Sequence, residues 1–540
     1  MSVKTKFIPF LLINIIFAAA AIYTGAKLFI FIALAFAVIS GAVVFSGAAR
    51  RKFDEKDALQ KGVVVFLIAV CVILSYLVCI ISVEKDLTYD YPLDDVDDYG
   101  CYPQLFDAFK KGRLDIDTNL DLSGLEKLKN PYDYAERNAV NGNRYQKLWD
   151  HVYFDGKIYA YFGAAPVIFI YFPFYFITGK LPSDALAACI LCAIASVLLI
   201  LVIYELTRRM KEKPTFAFFV FCAASLPFGS LVWQILTCAN FYHIAVISGI
   251  CAVLATFLFT LYAERCKDGF LRKLLFALAG GSVAAIVASR PNHIFYMLAL
   301  LPFLINIIVT RPNGVKSLIA DIAAFAIPMA ALGSLVAVYN YSRFGSVFDF
   351  GSSYQLTVAD TSTYTFSLSL IPATLFHYFI QLPAKTDHFP YLAPSSVKPA
   401  FIYDSIHRYV YVSKTVGSIA LPTTWGIFFA RTPLKKANKT ARWMAIMTVV
   451  AVFAVAVADM VFGGVHLRYG SDIFFALTLL GVYFFLSASA SEEKESTRRI
   501  IRVFACVLIS VAIVVSICLT FDNERDMIAK FHPDIFKQLS

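Results

Sequence analysis

Apolar runs, each about as long as a membrane-spanning helix, recur along almost the whole chain. Runs such as 62–83 and 243–263 contain no Asp, Glu, Lys or Arg. A helix needs about 20 apolar residues to cross the hydrocarbon core, and only helices and closed barrels satisfy their backbone hydrogen bonds in lipid. Since 59% of the 540 residues are hydrophobic and 16% are charged, we predict an all-α integral membrane protein with many spans.

Short basic segments between these runs set the expected topology. The segment around Arg50, Arg51 and Lys52 is cytoplasmic by the positive-inside rule. The formal net charge of +10 therefore reflects topology, and no nucleic acid is expected as a partner. We predict a polytopic bundle of about thirteen transmembrane helices in five parts: three spans in 1–83, a long first extracytoplasmic loop with interfacial or re-entrant helices over 84–184, six spans in 185–340, a second extracytoplasmic loop over 341–413, and four spans with a short outer tail in 414–540.

The first and last spans are placed from the runs themselves. The runs 7–23 and 28–45 are interpreted as an uncleaved hairpin of two helices, because a second apolar run follows the first after a very short linker. The four late spans are predicted near 414–431, 442–462, 470–489 and 499–520.

The segment 159–178 is apolar enough to span. A crossing there would leave the basic cluster 208–213 outside, against the positive-inside rule. Pro166 and Pro173 also interrupt its helix. We therefore favour a re-entrant or interfacial segment, and a true span with one irregular loop is the alternative.

Carboxylates are concentrated in the first outer loop. Asp94, Asp95, Asp97 and Asp98 come soon after a span, and the amphipathic stretch 102–117 follows them. Such a helix lies along the membrane surface and would hold the carboxylates at the water–lipid boundary, where the headgroup of a lipid-borne substrate is found. Spacing alone also allows a merely solvated acidic loop or a calcium site.

Several motifs together resemble those of the GT-C superfamily of membrane glycosyltransferases. The acidic pair Asp97-Asp98, followed by Tyr102 and the Lys111-Gly112-Arg113 turn, is similar to a pattern in protein O-mannosyltransferases and the lipid A aminoarabinose transferase. Further motifs resemble bacterial membrane proteins that are assigned to the same superfamily: NPYDYAERN at 130–138, the stretch 148–184, YNYSRFGSVFDFG at 339–351 and HLRYGSD at 466–472.

This resemblance implies a function and a location. The expected reaction is inverting transfer of a sugar from a polyprenyl-phosphate donor to an extracytoplasmic glycan, lipid or protein acceptor. The expected location is a bacterial plasma membrane, with several spans and the active site on the outer side, where it would serve the cell envelope. The resemblance points to Asp97 as the base with Asp98 beside it, while Asp94 and Asp95 form a second acidic pair in similar surroundings.

The departing lipid phosphate requires cations. A sugar phosphate already has a good leaving group, so one carboxylate base and a few positive partners suffice. Arg suits this role because its fork binds phosphate through two hydrogen bonds. The candidates on the outer side are Arg290, Arg343, Lys385, Arg408 and Arg468, of which Arg290 and Arg468 are preferred because each stands in a short turn between spans. Each could instead be an anchor at the membrane boundary.

Aromatic and histidine side chains are candidates for substrate contact. Tyr102, Trp149, Tyr159, Tyr161 and His388 all fall in the two outer loops, although aromatic residues at an interface are common in membrane proteins. No cofactor is assigned. A magnesium or manganese ion between Asp97 or Asp98 and the donor phosphate would suit the hard carboxylate oxygens, and the spacing leaves it open.

Two other functions remain as alternatives. An oligosaccharide polymerase or ligase would use the large loop 341–413. A lipid or polysaccharide transporter would place paired charges near the middle of the membrane. Asp321 and Asp459 stand within predicted spans, each close to an end.

Overall fold

The computed structural model describes residues 51–83, 86–311, 313–387, 389–522 and 527–531, together with 533, 534 and 537. Within these residues, ten helices are long and apolar enough to cross a membrane. The predicted all-α, polytopic membrane fold is thereby confirmed. The predicted runs 7–23 and 28–45 lie outside the described residues, so the total of about thirteen spans stays a prediction.

The first long helix leads into a layer of short elements at 86–183, here called the first loop layer. β1 and β4 pair antiparallel and bring the two ends of the layer together. β2 and β3 form a hairpin whose turn, Asp155-Gly156, has φ of 50° and 70°, the left-handed geometry that a two-residue hairpin turn requires. The elements are α1 (Ala58–Ile80), β1 (Thr88–Tyr89), α2 (Cys101–Lys110), α3 (Ser123–Glu126), α4 (Tyr134–Asn141), β2 (Val152–Phe154), β3 (Lys157–Tyr159), α5 (Phe172–Thr178) and β4 (Leu181–Pro182).

The segment 159–178 contains helix only in its second half. A five-residue π-turn, Val167–Tyr171, leads directly into the seven-residue α5. The continuous helical stretch Val167–Thr178 is still shorter than the roughly 20 residues that a crossing needs. Gly179, with φ of 74°, ends the helix because glycine adopts the left-handed conformation without strain.

The central part of the chain is a run of long helices. One of them is broken, since Pro227 and the left-handed Leu231 divide the apolar stretch Phe216–Leu236 into three short helices. Another begins with a 3-10 turn, Pro291–Tyr296. The helices are α6 (Asp184–Arg209), α7 (Phe216–Ala224), α8 (Leu226–Gly229), α9 (Val232–Leu236), α10 (Phe241–Arg265), α11 (Phe270–Ser289), α12 (Met297–Thr310) and α13 (Gly314–Phe344).

A layer of short elements at 345–438, here called the second loop layer, and three further long helices follow. In the second loop layer, the strands β5 and β6 pair antiparallel. The elements are α14 (Leu370–Leu375), β5 (Ala384–Lys385), β6 (Leu392–Ala393), α15 (Ala400–Tyr403), α16 (Arg431–Lys436), α17 (Lys439–Phe462), α18 (Leu467–Ser491), α19 (Glu495–Phe521) and α20 (Met527–Phe531).

The helix predicted near 414–431 is wrong. The structure has 3-10 turns over Ser418–Ala420 and Pro422–Phe429 instead. The segment lies directly against α18, since a Cβ added at Gly426 would come 2.0 Å from the carbonyl oxygen of Gly481. Proline lacks the amide hydrogen that a helix interior uses, and the close contact between the two glycines stabilises an irregular path along α18.

Two helices occupy the centre of the bundle. In α10 and α18, 83% and 78% of the apolar window is buried inside the protein, whereas none of the window in α13 is. An apolar helix surface that is exposed in the isolated protein is suited to contact lipid. Two of the candidate residues described below, Tyr242 and Arg468, lie at the first turns of α10 and α18.

The peripheral helix α13 is held to α11 by a charged contact and a close backbone approach. The buried carboxylate of Asp321 pairs with Arg272 at 2.7 Å and with Lys273 at 2.5 Å. At Gly280 of α11, an added Cβ would lie 1.9 Å from the carbonyl oxygen of Phe325. Small residues of this kind let membrane helices approach closely.

Gly280→Ala is therefore expected to destabilise the protein by about 1–3 kcal/mol, because the new methyl group overlaps a backbone oxygen that cannot move alone. The matched control is Gly281→Ala on the same helix, where the nearest atom to a new Cβ is a leucine methyl group at 3.5 Å. The measurement is the temperature at which half of the purified protein remains monodisperse after heating. Equal temperatures for the two variants would contradict the close approach of α11 and α13.

Candidate active site

The four predicted acidic residues lie in one turn at the start of α2. Asp95 caps a 3-10 turn, Val96–Asp98, by accepting a hydrogen bond from the amide of Asp97 at 3.1 Å. The side-chain amide of Gln104, fully buried on α2, donates to the carbonyl of Val96 at 2.9 Å. The turn is thereby held against α2, and its carboxylates point in different directions.

Asp97 is the buried member of this group. Asp97 is only 5% exposed to solvent. One carboxylate oxygen, Oδ2, accepts from the amide of Asn119 at 2.8 Å. The other, Oδ1, is buried and has no hydrogen-bond partner among the described residues. Leaving a buried acceptor unpaired is costly, and an unpaired carboxylate oxygen is free to accept a proton from a bound molecule.

The other three acidic residues are more exposed and already have partners. Tyr99 donates to Asp94 at 2.6 Å, and this hydrogen bond lowers the pKa of Asp94. The side-chain amide of Asn119 similarly lowers the pKa of Asp95. Lys147 pairs with Asp98 at 2.5 Å. These three carboxylates are therefore engaged in local contacts.

The segment 146–151 connects the acidic turn to the membrane helices. His151 is buried, and its Nε2 lies 2.6 Å from Oε1 of Gln104. Burial lowers the pKa of His151. The preceding residue, Asp150, has φ of 59° and accepts a hydrogen bond from the hydroxyl of Tyr242, on the first turn of α10. Its second oxygen, Oδ1, is buried without a hydrogen-bond partner in the described part of the chain.

Two arginines gather around aromatic rings at this place. The guanidinium carbon of Arg468, on the first turn of α18, lies 4.5 Å from the ring centre of Tyr242. The guanidinium carbons of Arg468 and Arg290 both lie 4.9 Å from the ring centre of Tyr469. Such contacts of cation and ring stabilise the charge where water is scarce. One tyrosine ring thus brings together the two arginines that the sequence favoured.

Arg290 is also held by carboxylates. It bonds to Asp459 of α17 at 2.9 Å and to Asp472 of α18 at 2.5 Å. His293 contacts Asp472 at 2.6 Å, and the side-chain amide of Asn292 donates to Asp459 at 2.7 Å. Two carboxylates therefore compensate the charge of Arg290.

Two of the other predicted cations, Arg343 and Arg408, donate hydrogen bonds to backbone carbonyls of the protein. Arg343 donates to the carbonyl of Ala160 at 2.9 Å and lies over the ring of Tyr339 at 3.8 Å. Arg408 donates to the carbonyl of Val461 at 2.8 Å, at the end of α17. The predicted Lys385 is exposed on β5, and the predicted His388 lies outside the described residues.

The predicted aromatic contacts differ in their access to solvent. Tyr102 and Tyr159 are buried, at 0% and 6% exposure, so they contribute to packing. Burial raises the pKa of Tyr161 to about 12, and the nearby charge of Arg290 opposes this effect. Tyr161 thus lies near the arginine cluster, while Trp149 is half-buried and lines a groove at the protein surface.

Sequence reasoning missed the residues that join these groups. Asp150 and Tyr242 link the first loop layer to α10, and Asp472 fixes Arg290 from α18. The HLRYGSD motif contains Asp472 and Tyr469, so closer reading of that motif would have found them. Nothing near Tyr242 in the sequence indicates its contact with Asp150, because the two residues are 92 positions apart.

Comparison with known proteins gives a distant structural likeness. No protein-family model and no curated protein matches the sequence. An oligosaccharyltransferase from Archaeoglobus fulgidus in its apo form is similar with a TM-score of 0.43 and 12% identity, over 85% of this chain and 56% of that one. ArnT from Cupriavidus metallidurans bound to undecaprenyl phosphate is similar with a TM-score of 0.38 and 14% identity, over 87% and 77%. The chain thus spans little more than half of the archaeal protein.

The buried ion pairs give a stability prediction. Asp472→Ala is expected to destabilise the protein by on the order of 3 kcal/mol, because the buried donors of Arg290 and His293 both lose a carboxylate partner. The control is Asp94→Ala at the exposed end of the acidic turn, which should leave stability unchanged. Thermal unfolding of both variants in the same lipid or detergent measures the difference, and an unaffected Asp472→Ala variant would contradict the pairing with Arg290.

Proposed function

We propose that the protein is an inverting glycosyltransferase that moves a sugar from a polyprenyl-phosphate donor to an acceptor hydroxyl on the extracytoplasmic side of a bacterial plasma membrane. The observation that carries the proposal is the buried oxygen of Asp97 that has no hydrogen-bond partner among the described residues. Asp97 lies in the first loop layer, and Asp150 of the same layer bonds to Tyr242, whose ring contacts Arg468. The motifs that resemble GT-C transferases lie in these same elements.

Asp97 is the proposed general base. Its free Oδ1 accepts the proton of the acceptor hydroxyl while the hydroxyl oxygen forms a bond to the anomeric carbon. The bond between that carbon and the donor phosphate oxygen breaks at the same time, and its electron pair leaves with the lipid phosphate. Attack from the face opposite the phosphate inverts the anomeric configuration.

Arg468 is the proposed partner of the departing phosphate. It lies on the first turn of α18, where the dipole of the helix also favours an anion. Tyr242, whose ring contacts Arg468, lies on the first turn of the other central helix, α10. Fixed positive groups of this kind stabilise charge that develops in the transition state.

Arg290 is assigned a positioning role. Because Asp459 and Asp472 already neutralise its charge, it has little left for a phosphate, and its contact with Tyr469 holds that ring beside Arg468. Arg343 and Arg408 hold the two loop layers through backbone carbonyls. The described residues contain no group of three or more His, Cys, Asp or Glu side chains that could hold a metal ion.

The role of Asp97 is tested by Asp97→Asn, which removes the base and keeps the shape of the side chain. Turnover of a radiolabelled polyprenyl-phosphate sugar should fall on the order of a hundredfold or more, because general base catalysis contributes at this scale. Donor binding should be unchanged. Asp94→Asn is the matched control and should retain activity.

A fully active Asp97→Asn variant would refute this assignment. Asp150→Asn would then be the next variant, because Asp150 also has a buried oxygen without a hydrogen-bond partner among the described residues.

The role of Arg468 is tested by Arg468→Gln. The affinity for polyprenyl phosphate should fall by about tenfold to a hundredfold, since a charged hydrogen bond contributes roughly 1.5–3 kcal/mol. The measurement is binding of labelled polyprenyl phosphate to the purified protein in lipid. Arg431→Gln, at the exposed start of α16, is the control, and equal affinities of the two variants would rule out Arg468 as the phosphate ligand.

A further inference from the structure

The second loop layer contains a short helix whose apolar side is exposed. α14 continues directly into a five-residue π-turn, Phe376–Ile380, so the helical stretch is Leu370–Ile380. This stretch is here called the inverted helix. It is shorter than the roughly 20 residues that a crossing needs, and the sequence around it, 361–384, contains no Asp, Glu, Lys or Arg.

The polar side chains of the inverted helix point into the protein. Thr374, His377 and Tyr378 are all fully buried. Nε2 of His377 lies 2.7 Å from the hydroxyl of Tyr403, and the hydroxyl of Tyr378 donates to the carbonyl of Gly464 at 2.6 Å. The hydrogen-bonding groups of these side chains are therefore directed at the protein.

The opposite side of the inverted helix is apolar and exposed. A helix on the surface of a protein in water has the reverse pattern, with its apolar side chains inside and its polar side chains outside. The inverted helix is therefore suited to an apolar environment. The exposed apolar side chains on this side and at the two ends include Leu368 (72%), Leu375 (41%), Ile380 (55%) and Leu382 (63%).

Two contacts tie the inverted helix to one end of α17. The carbonyl that accepts from Tyr378 belongs to Gly464, just beyond the last residue of α17. On the other side of the helix, the ring centre of Tyr364 lies 4.8 Å from the guanidinium carbon of Arg408. Arg408 in turn donates to the carbonyl of Val461, in the last turn of α17. The inverted helix therefore lies at the level of that end.

The charge pattern indicates on which side of the membrane this end lies. α17 is long and apolar enough to cross, and it begins shortly after α16, whose sequence RTPLKK is basic. Basic segments between spans stay on the cytoplasmic side. The rule therefore predicts that the far end of α17, and the inverted helix with it, lies at the extracytoplasmic boundary of the membrane.

We propose that the inverted helix lies in the outer leaflet of the membrane, with Leu375 and Ile380 among the lipid acyl chains, and that it anchors the second loop layer to the lipid surface. A helix with one apolar face binds the boundary between headgroups and acyl chains in this way. In α17, only 44% of the apolar window is buried, so the lipid that surrounds α17 also reaches the inverted helix.

A second copy of the chain fits this face less well than lipid does. Interfaces between proteins have a polar rim around an apolar centre. The stretch 361–384 has no charged Asp, Glu, Lys or Arg side chain to contribute to such a rim, whereas contact with acyl chains requires none.

The test places the photo-crosslinking amino acid p-benzoylphenylalanine at exposed positions of the inverted helix. On irradiation its ketone carbon bonds to a carbon that it touches, and the hydrogen of that carbon moves to the ketone oxygen. The purified full chain in phospholipid vesicles is irradiated, and the mass of the intact protein is measured. Leu375→p-benzoylphenylalanine and Ile380→p-benzoylphenylalanine should each gain the mass of one phospholipid, because acyl chains surround both positions.

The controls are exposed residues elsewhere in the chain. Leu335, on the long apolar helix α13, is 64% exposed, and the same replacement there should also give a phospholipid adduct. Ser362 is exposed on a polar 3-10 turn of the second loop layer, and replacement there should give none. Every variant should elute from size exclusion as the wild type does, since exposed positions tolerate a large side chain.

Two results would overturn the proposal. An adduct at Leu335 with none at Leu375 or Ile380 would mean that the inverted helix faces water. A crosslinked dimer at Leu375 or Ile380 would mean that a second copy of the chain covers this face. Neither result depends on transfer of a sugar, so the proposed reaction and the lipid contact are judged separately.

Discussion

A buried arginine among membrane helices is tolerated only when its charge is compensated, and Arg290 meets this condition with carboxylates from two different helices. Asp459 on α17 and Asp472 on α18 both bond to it, so the ends of α11, α17 and α18 are held at one point. The first loop layer packs against the same point, since a Cβ at Gly163 would lie 2.0 Å from the carbonyl oxygen of Ala288. The cluster of arginine and tyrosine above this point depends on that arrangement.

The second constraint is the continuity of the segment 146–151. Within six residues it contacts the acidic turn, the core of the first loop layer and the start of α10. Because the segment is short, a shift of any one contact would move the others. This explains how a loop layer made of short elements can hold a carboxylate and two guanidinium groups in a defined relation, which a site built for proton abstraction and phosphate departure requires.

Much of the fold could be predicted because length and hydrophobicity are properties of contiguous sequence. The long helices in the described part of the chain coincide with the predicted runs, and the segment 414–431 does not, because its path is set by Gly426 against Gly481, a contact between distant residues. The same difference between local sequence and distant contacts applies to the candidate site. Asp97, Arg290 and Arg468 could be selected one by one from their local motifs, but Asp150 and Tyr242 could not, since only the folded chain brings them together.

The central claim is transfer of a sugar from a lipid phosphate with inversion. The most direct measurement is incubation of the purified full chain in lipid with a panel of synthetic polyprenyl-phosphate sugars and an envelope extract, followed by NMR of the product linkage. The account predicts that one donor is consumed, that polyprenyl phosphate is released, and that the anomeric configuration of the product is opposite to that of the donor. Consumption of none of the donors by folded protein, or a product with retained configuration, would contradict it.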